Sequence, residues 1–254
     1  MVRRFPALAA LLLLAPALAP AQPLLEFRHD LAFTPQEVSA LAGRAYGARL
    51  HALALAGRLD ADRELVARLH RLLPPLVTAA AYERPAVASL AWEAHACDDC
   101  SENASALPGG KILVSGAFVR KLGLDDDELG YLLAHEVAHV IAEHAREYAT
   151  AARYFVDNGL RRGYADIRQE LDQSLPLALE MQPFAEQQEL EADYMGFILG
   201  ARAGFRPAAM LRLLGKLGPA GESVLGTHPT QAKRIAQARA MLDAARRIAA
   251  RRPR

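Results

Sequence analysis

The chain has 254 residues, 52% of them apolar and 23% charged, a composition that excludes disorder along its whole length. A formal charge of +1 argues against a nucleic-acid binder that relies on a strongly basic surface. Two cysteines are too few for a disulfide scaffold or a four-cysteine zinc module.

Residues 1–21 read as a cleaved export signal. Arg3 and Arg4 are basic, Phe5 to Ala15 is an apolar run, and Ala19-Pro20-Ala21 fits a small-x-small cleavage site ahead of Gln22. The run falls short of the roughly 20 residues of a membrane span; an uncleaved anchor or a buried helix is the competing reading. Residues 22–254 are then expected as a single domain in an oxidising compartment, which the Ala-, Leu- and Arg-rich signal makes the periplasm. The later apolar stretch Leu129 to Ala142 is interrupted by His135, Glu136 and His139, so no transmembrane segment is expected in the mature chain.

In chain order, Thr34-Pro35-Gln36-Glu37 opens a helix over 34–57. Leu65, Leu69, Leu72 and Leu76 mark a second over 61–81, which Pro74 and Pro75 are expected to kink or end. Residues 85–92 alternate like a strand, and Lys111–Ser115 is a stronger one, opened by Pro108-Gly109-Gly110 and closed by Gly116. Asp125, with Glu128 three residues on, forms a capping box that starts a helix expected to reach about residue 150. Residues 160–183 read as a broken helical excursion, followed by helices near 184–202, 207–217 and 229–250.

His135-Glu136-Val137-Ala138-His139 lies inside the long helix. At about 100° per residue, His135 and His139 are one turn apart on the same face and can offer imidazole nitrogens to one ion. Glu136 then sits beside the ion, placed to take a proton from activated water. The alternative is a chance match with structural histidines. Leu132, Leu133, Val137, Ala138, Val140 and Ile141 argue against it, because a helix apolar nearly all round leaves these polar groups needing partners. We therefore expect Zn2+, one ion per chain. A catalytic zinc takes three protein ligands. Glu189 and Asp193 are four residues apart on one predicted helical face, so Glu189 is the expected third ligand and Asp193 the partner of a ligating histidine. Glu186 shares that face and is the runner-up, whereas Glu191 points away.

Asn103-Ala104-Ser105-Ala106-Leu107-Pro108-Gly109-Gly110, Asp127-Glu128-Leu129, the histidine motif, Glu189-x-x-Ala192-Asp193, Gly204-Phe205-x-Pro207 and His228-Pro229 with Arg234 occur in an order seen in one family. The chain resembles the gluzincin peptidases that include the CAAX prenyl protease and HtpX, in the style of the soluble periplasmic branch with BepA and LoiP. The resemblance spans roughly residues 40–245. It implies an α+β, mostly helical, zincin-type metalloprotease domain with a small antiparallel sheet beside the histidine-motif helix. It also implies His135, His139 and Glu189 as ligands, Glu136 as base, and the strand after Gly110 as cleft lining. Gly110, Lys111, Ile112, Leu113 and Val114 are accordingly expected to bind an extended substrate along an edge strand. Two departures are visible. Ser105 stands where the family usually has an aromatic residue, and a helical-repeat domain of the BepA kind is not expected.

The family order also brings His228 to the site, as oxyanion donor or resting zinc partner rather than a mere helix-start residue. Arg234 either holds a carboxylate near the site or lies on a solvated face. His144, about 140° round the helix from His139, reads as structural. Cys97 and Cys100 are expected as a disulfide, with redox regulation as the alternative. Arg246, Arg247, Arg251, Arg252 and Arg254 complement a helix C-terminus, and peripheral contact with anionic lipid is the other reading. The resulting expectation is a periplasmic zinc metalloendopeptidase. Its partners would be polypeptide substrates, unassembled outer-membrane proteins among them, and no nucleic acid. The rival is a zinc-containing chaperone-like module with little turnover, which would not need Glu136.

Overall fold

The computed structural model describes residues 31–98, 100, 103–217 and 231–250, the side chains of residues 231 and 244–250 excepted. The expected export signal and His228 lie outside the described residues, as do Arg251, Arg252, Arg254 and the side chains of Arg246 and Arg247.

Helix α1 (Pro35–Leu55) opens on Thr34, whose hydroxyl accepts the Glu37 N–H at 3.1 Å, with Pro35 in the first turn. Helix α2 (Arg63–Glu83) opens in the same way on Asp62, which accepts from the Leu65 N–H. Pro74 and Pro75 do not end it. Each removes a helical N–H at a cost of about 3 kcal/mol. Leu69, Leu72, Leu73 and Leu76 are all buried around them, and each contributes roughly 1.5–3 kcal/mol. The strand expected over 85–92 is instead a 3-10 turn, Pro85–Ser89, whose Val87 carbonyl accepts the Trp92 indole N–H at 2.8 Å. Strand β1 (Glu93–Cys97) begins only after it.

Strands β2 (Ala104–Leu107) and β3 (Lys111–Ser115) form an antiparallel hairpin, paired from Ala104 with Val114 to Leu107 with Lys111. Gly110 closes the turn at φ +81°, and a Cβ there would lie 2.8 Å from the Trp92 ring, so only glycine fits. Strand β1 pairs with β3 in parallel, giving the order β1-β3-β2. The expected antiparallel sheet is therefore mixed, and Lys111–Ser115 is its central strand rather than an edge. Turn residues report only the hairpin; the parallel partner arrives by a connection with no such local signature. Ile112 and Val114 are fully buried, so β3 is part of the core.

Helix α3 (Gly116–Leu122) leads to α4 (Asp126–Ile141), which starts on the Asp125–Glu128 capping box. Helix α4 stops short of the expected residue 150. Arg84 donates to the Ile141 carbonyl at 2.8 Å and pairs with Glu143 at 3.0 Å. Glu143 takes a left-handed φ of 58°, and a separate helix, α5 (His144–Ala152), leaves in a new direction. Helices α6 (Tyr164–Gln173) and α7 (Leu175–Glu180) make up the broken excursion. Helix α8 (Gln182–Arg202) then returns along α4. At Gly196 a Cβ would sit 3.0 Å from the His135 backbone nitrogen, so a glycine lets α8 come flush against the first histidine. Helices α9 (Ala208–Lys216) and α10 (Gln231–Ala250) complete the described chain.

The main core joins α2, the sheet, α4, α8, α9 and α10. A smaller cluster joins the start of α1 to α5, α6 and α7. The architecture is mostly helical α+β with a three-stranded sheet. No helix among the described residues is long and apolar enough to cross a membrane.

Candidate metal centre

Helix α4 supplies His135, Glu136 and His139; α8 supplies Glu189 and Asp193. The i, i+4 spacing puts the two imidazoles on the α4 face that α8 covers, with their Nε2 atoms 3.0 Å apart. Glu189 places Oε2 at 3.5 Å from His135 Nε2 and Oε1 at 3.4 Å from His139 Nε2. One ligand atom from each residue lies within 4.8 Å of the other two, and this is the only such cluster among the described residues. Tetrahedral ligands 2.0–2.1 Å from zinc are about 3.3 Å from one another, so the three donors are already near the spacing one ion would require.

The electrostatics point the same way. Among the described residues, Glu136, Glu189 and Asp193 bring three carboxylates to a half-buried site with one fixed cation, Arg234. A divalent cation would balance the excess. Burial pushes the Glu136 carboxyl above its ordinary value, and the two imidazoles offset part of the rise. The Glu136 carboxylate accepts from the Ala106 backbone N–H, so Glu136 touches the outer edge of β2. Burial disfavours a charged His135, but Asp193 and Glu189 outweigh it and raise the imidazole to about 10. A metal ligand must give up that proton, so metal binding here releases it.

Asp193 is buried, 2% exposed, and bonds His135 Nδ1 at 3.0 Å. Arg234 from α10 clamps Asp193 with two bonds, of 2.6 and 2.7 Å. Burial raises the Asp193 carboxyl, yet Arg234 and His135 more than reverse this and hold it below its usual range. Gln237 fixes α10 to α8 through the Leu190 carbonyl at 2.7 Å. Of the two alternatives for Arg234, the structure has the one that holds a carboxylate.

The other candidates divide. Glu186 faces Lys233 at 3.6 Å rather than the histidines. Cys97 and Cys100 form a disulfide at the end of β1. Lys111–Val114 lie at the centre of the sheet, with main-chain partners on both sides, so the substrate-pairing edge expected there is absent; β2 holds the free edge beside Glu136. His144, read from the sequence as structural, touches the site: its Nδ1 is 2.8 Å from His139 Nδ1. A continuous helix would have carried it away. The left-handed break at Glu143 turns it back, and no local pattern signals that break, since a continuous helix accommodates the Glu143–Arg146 spacing equally well.

The fold and the donor set together define a metallopeptidase domain of the zincin type. Residues 64–242 match peptidase family M48, and the chain belongs to that family. It is similar to the mitochondrial metalloendopeptidase OMA1 of Arabidopsis thaliana, 33% identical over 162 residues that cover 61% of this chain and 33% of the relative. The Saccharomyces cerevisiae protein of the same name is 29% identical over 176 residues, 63% of this chain and 51% of the relative. Human OMA1 is 28% identical over 130 residues, 47% of this chain and 25% of the relative. The chain thus spans about a quarter to a half of the length of these relatives.

Proposed function

We propose that the protein is a zinc metalloendopeptidase with His135, His139 and Glu189 as ligands and Glu136 as the general base. The observation that carries this reading is the convergence of the three donors within 4.8 Å, with the Glu136 carboxyl buried beside them. Bound zinc supplies Lewis acidity at the scissile carbonyl and at water. Glu136 takes the proton of the attacking water and later delivers it to the leaving amine. Its raised proton affinity suits both halves of that cycle. Asp193, tied down by Arg234, keeps the His135 ring in one plane. An extended polypeptide adds along the outer edge of β2, where the Ala106 N–H already faces Glu136; main-chain pairing makes recognition depend little on sequence. His228 is assigned, on sequence grounds alone, to the oxyanion.

We extend the reading to a periplasmic enzyme of the BepA and LoiP style acting on misfolded or unassembled envelope proteins. The export signal read at 1–21 and a cleft edge of strand type support it. The test is zinc content measured together with casein cleavage by wild type and Glu136→Gln. The variant is expected to keep one zinc per chain and its fold while losing hydrolysis by several orders of magnitude, about 10²–10⁴ from the base alone. Cleavage by the variant at the wild-type rate would refute the mechanism.

A further inference from the structure

The two ligating histidines are backed differently, and only one backing was expected. Behind His135 stands a carboxylate, Asp193. Behind His139 stands another imidazole, His144, which is buried at the first position of α5. His139 turns Nε2 toward His135 and Glu189 and Nδ1 toward His144. A nitrogen that ligates a metal keeps its lone pair for the ion, so the proton of a ligating His139 is on Nδ1. Two Nδ1 atoms 2.8 Å apart cannot both carry protons, so His144 Nδ1 is the acceptor. The proton of His144 is then on Nε2. That atom is buried and has no hydrogen-bond partner, but it points at Glu191 Oε2, 3.7 Å away. The Glu191 carboxylate favours this tautomer over its alternative.

We propose that His144 is a positioning residue for the metal centre: it accepts the Nδ1–H of His139 and so fixes the ring plane and tautomer that leave Nε2 to the ion. The surroundings keep His144 in place. Gln188 donates to the His144 carbonyl at 3.1 Å and to Glu147 at 2.7 Å, locking the start of α5 to α8. Arg84 and Arg146 both hold Glu143, the left-handed residue that turns α5 back toward the site. The helix break, which would be a defect in an uninterrupted α4, is what delivers an acceptor to His139. The proposal rests on the zinc reading given above and adds to it a ligand-orienting chain, Glu191 to His144 to His139, that does not touch substrate.

The test uses the full chain and zinc affinity, measured by competition with a chromophoric chelator at fixed pH. His144→Leu is expected to bind zinc about 10- to 100-fold more weakly than wild type. His144→Asn, whose amide oxygen can accept the same proton, is expected to recover most of that loss. The visible spectrum of the cobalt-substituted protein should be altered in the leucine variant and near wild type in the asparagine variant. Wild-type affinity and spectrum in His144→Leu would overturn the proposal, and so would equal losses in both variants, because packing would then explain the effect. Ring-nitrogen NMR of zinc-loaded wild type needs no variant: it should place the proton on Nδ1 of His139 and Nε2 of His144, and a proton on His144 Nδ1 would overturn the assignment. A wild-type chain that takes up no zinc would overturn the zinc reading and this proposal together, whereas zinc uptake unaffected by His144 would overturn this proposal alone.

Discussion

At the N-terminal end of α4, Asp125, Asp126, Asp127 and Glu128 each meet a cation. Asp125 pairs with Arg212 at 2.7 Å, Asp126 with Arg68 at 2.7 Å, Asp127 with Arg206, and Glu128 with Lys216 at 2.7 Å and Arg212 at 3.1 Å. About 15 Å along the same helix, His135, Glu136 and His139 meet Glu189 and Asp193, with Arg234 as the one fixed cation among the described residues. Both ends gather ionisable groups, and only Glu128 of the first set is buried. At the first, opposite charges cancel and the result is a helix cap that also ties α9 to α4. At the second, negative charge is left over and the donors converge on a point. On a helix charged at both ends, chemistry belongs not where acids are numerous but where they lack counter-charges.

Substitutions at the two ends should act in opposite ways. Glu189→Ala should weaken zinc binding by more than about 100-fold, beyond the loss usual for an outer partner of a ligand. The metal-free variant loses a carboxylate that repels Glu136 and, with it, a partner of the charged His135 imidazole, so it should melt close to metal-free wild type. Metal titration and calorimetry of the same preparations check both. A variant that binds zinc normally would mean that Glu189 is not a ligand.

Glu128→Ala should do the reverse. It removes the capping-box acceptor of the Asp125 N–H and the partner of Lys216, which should cost roughly 1–3 kcal/mol of folding stability, with zinc affinity of the folded protein unchanged. The loss should also depend on pH. Burial raises the Glu128 carboxyl, but Lys216 and the capping N–H outweigh it, and its folded value lies below the ordinary one. Its contribution is therefore complete above the ordinary carboxylate range and disappears as the pH falls through the folded value. Urea unfolding at neutral pH and near pH 3 should show the gap between wild type and variant closing on acidification; a gap that widens would contradict the pairing.

These two ends were unequally legible. The capping box and the i, i+4 histidines are local patterns of one helix, and the phase of Glu189 and Asp193 is local to another, so periodicity alone sets them on common faces. What periodicity does not carry is anything enforced from far along the chain. Arg84 ends α4 by taking the Ile141 carbonyl, 57 residues away in sequence. Without that bond the apolar pattern runs on, and His144 falls on the wrong side. The central place of β3 depends on a parallel partner that no turn announces. Pro74 and Pro75 sit inside α2 because the leucines around them are buried by other elements, which local propensity does not register.

The smallest expected effect separates two glutamates that sequence places two residues apart on α8. Glu189 faces both imidazoles, whereas Glu191 lies 3.7 Å from His144 Nε2 with its side chain 36% exposed. Water can reach that carboxylate and can take its place at the His144 N–H. His144 is buried but the carboxylate is open to solvent, and a pair screened in this way contributes about 0–1 kcal/mol, so Glu191→Ala should weaken zinc binding no more than about fivefold. The effect should vanish in a His144→Leu background, because Glu191 acts on the metal only through that ring, and the double variant should bind zinc as His144→Leu does. Chelator competition on the two single variants and the double decides it. A loss at Glu191 as large as the loss at Glu189 would make Glu191 a ligand and reverse the helical phase; additive losses would give Glu191 a route to the metal that bypasses His144.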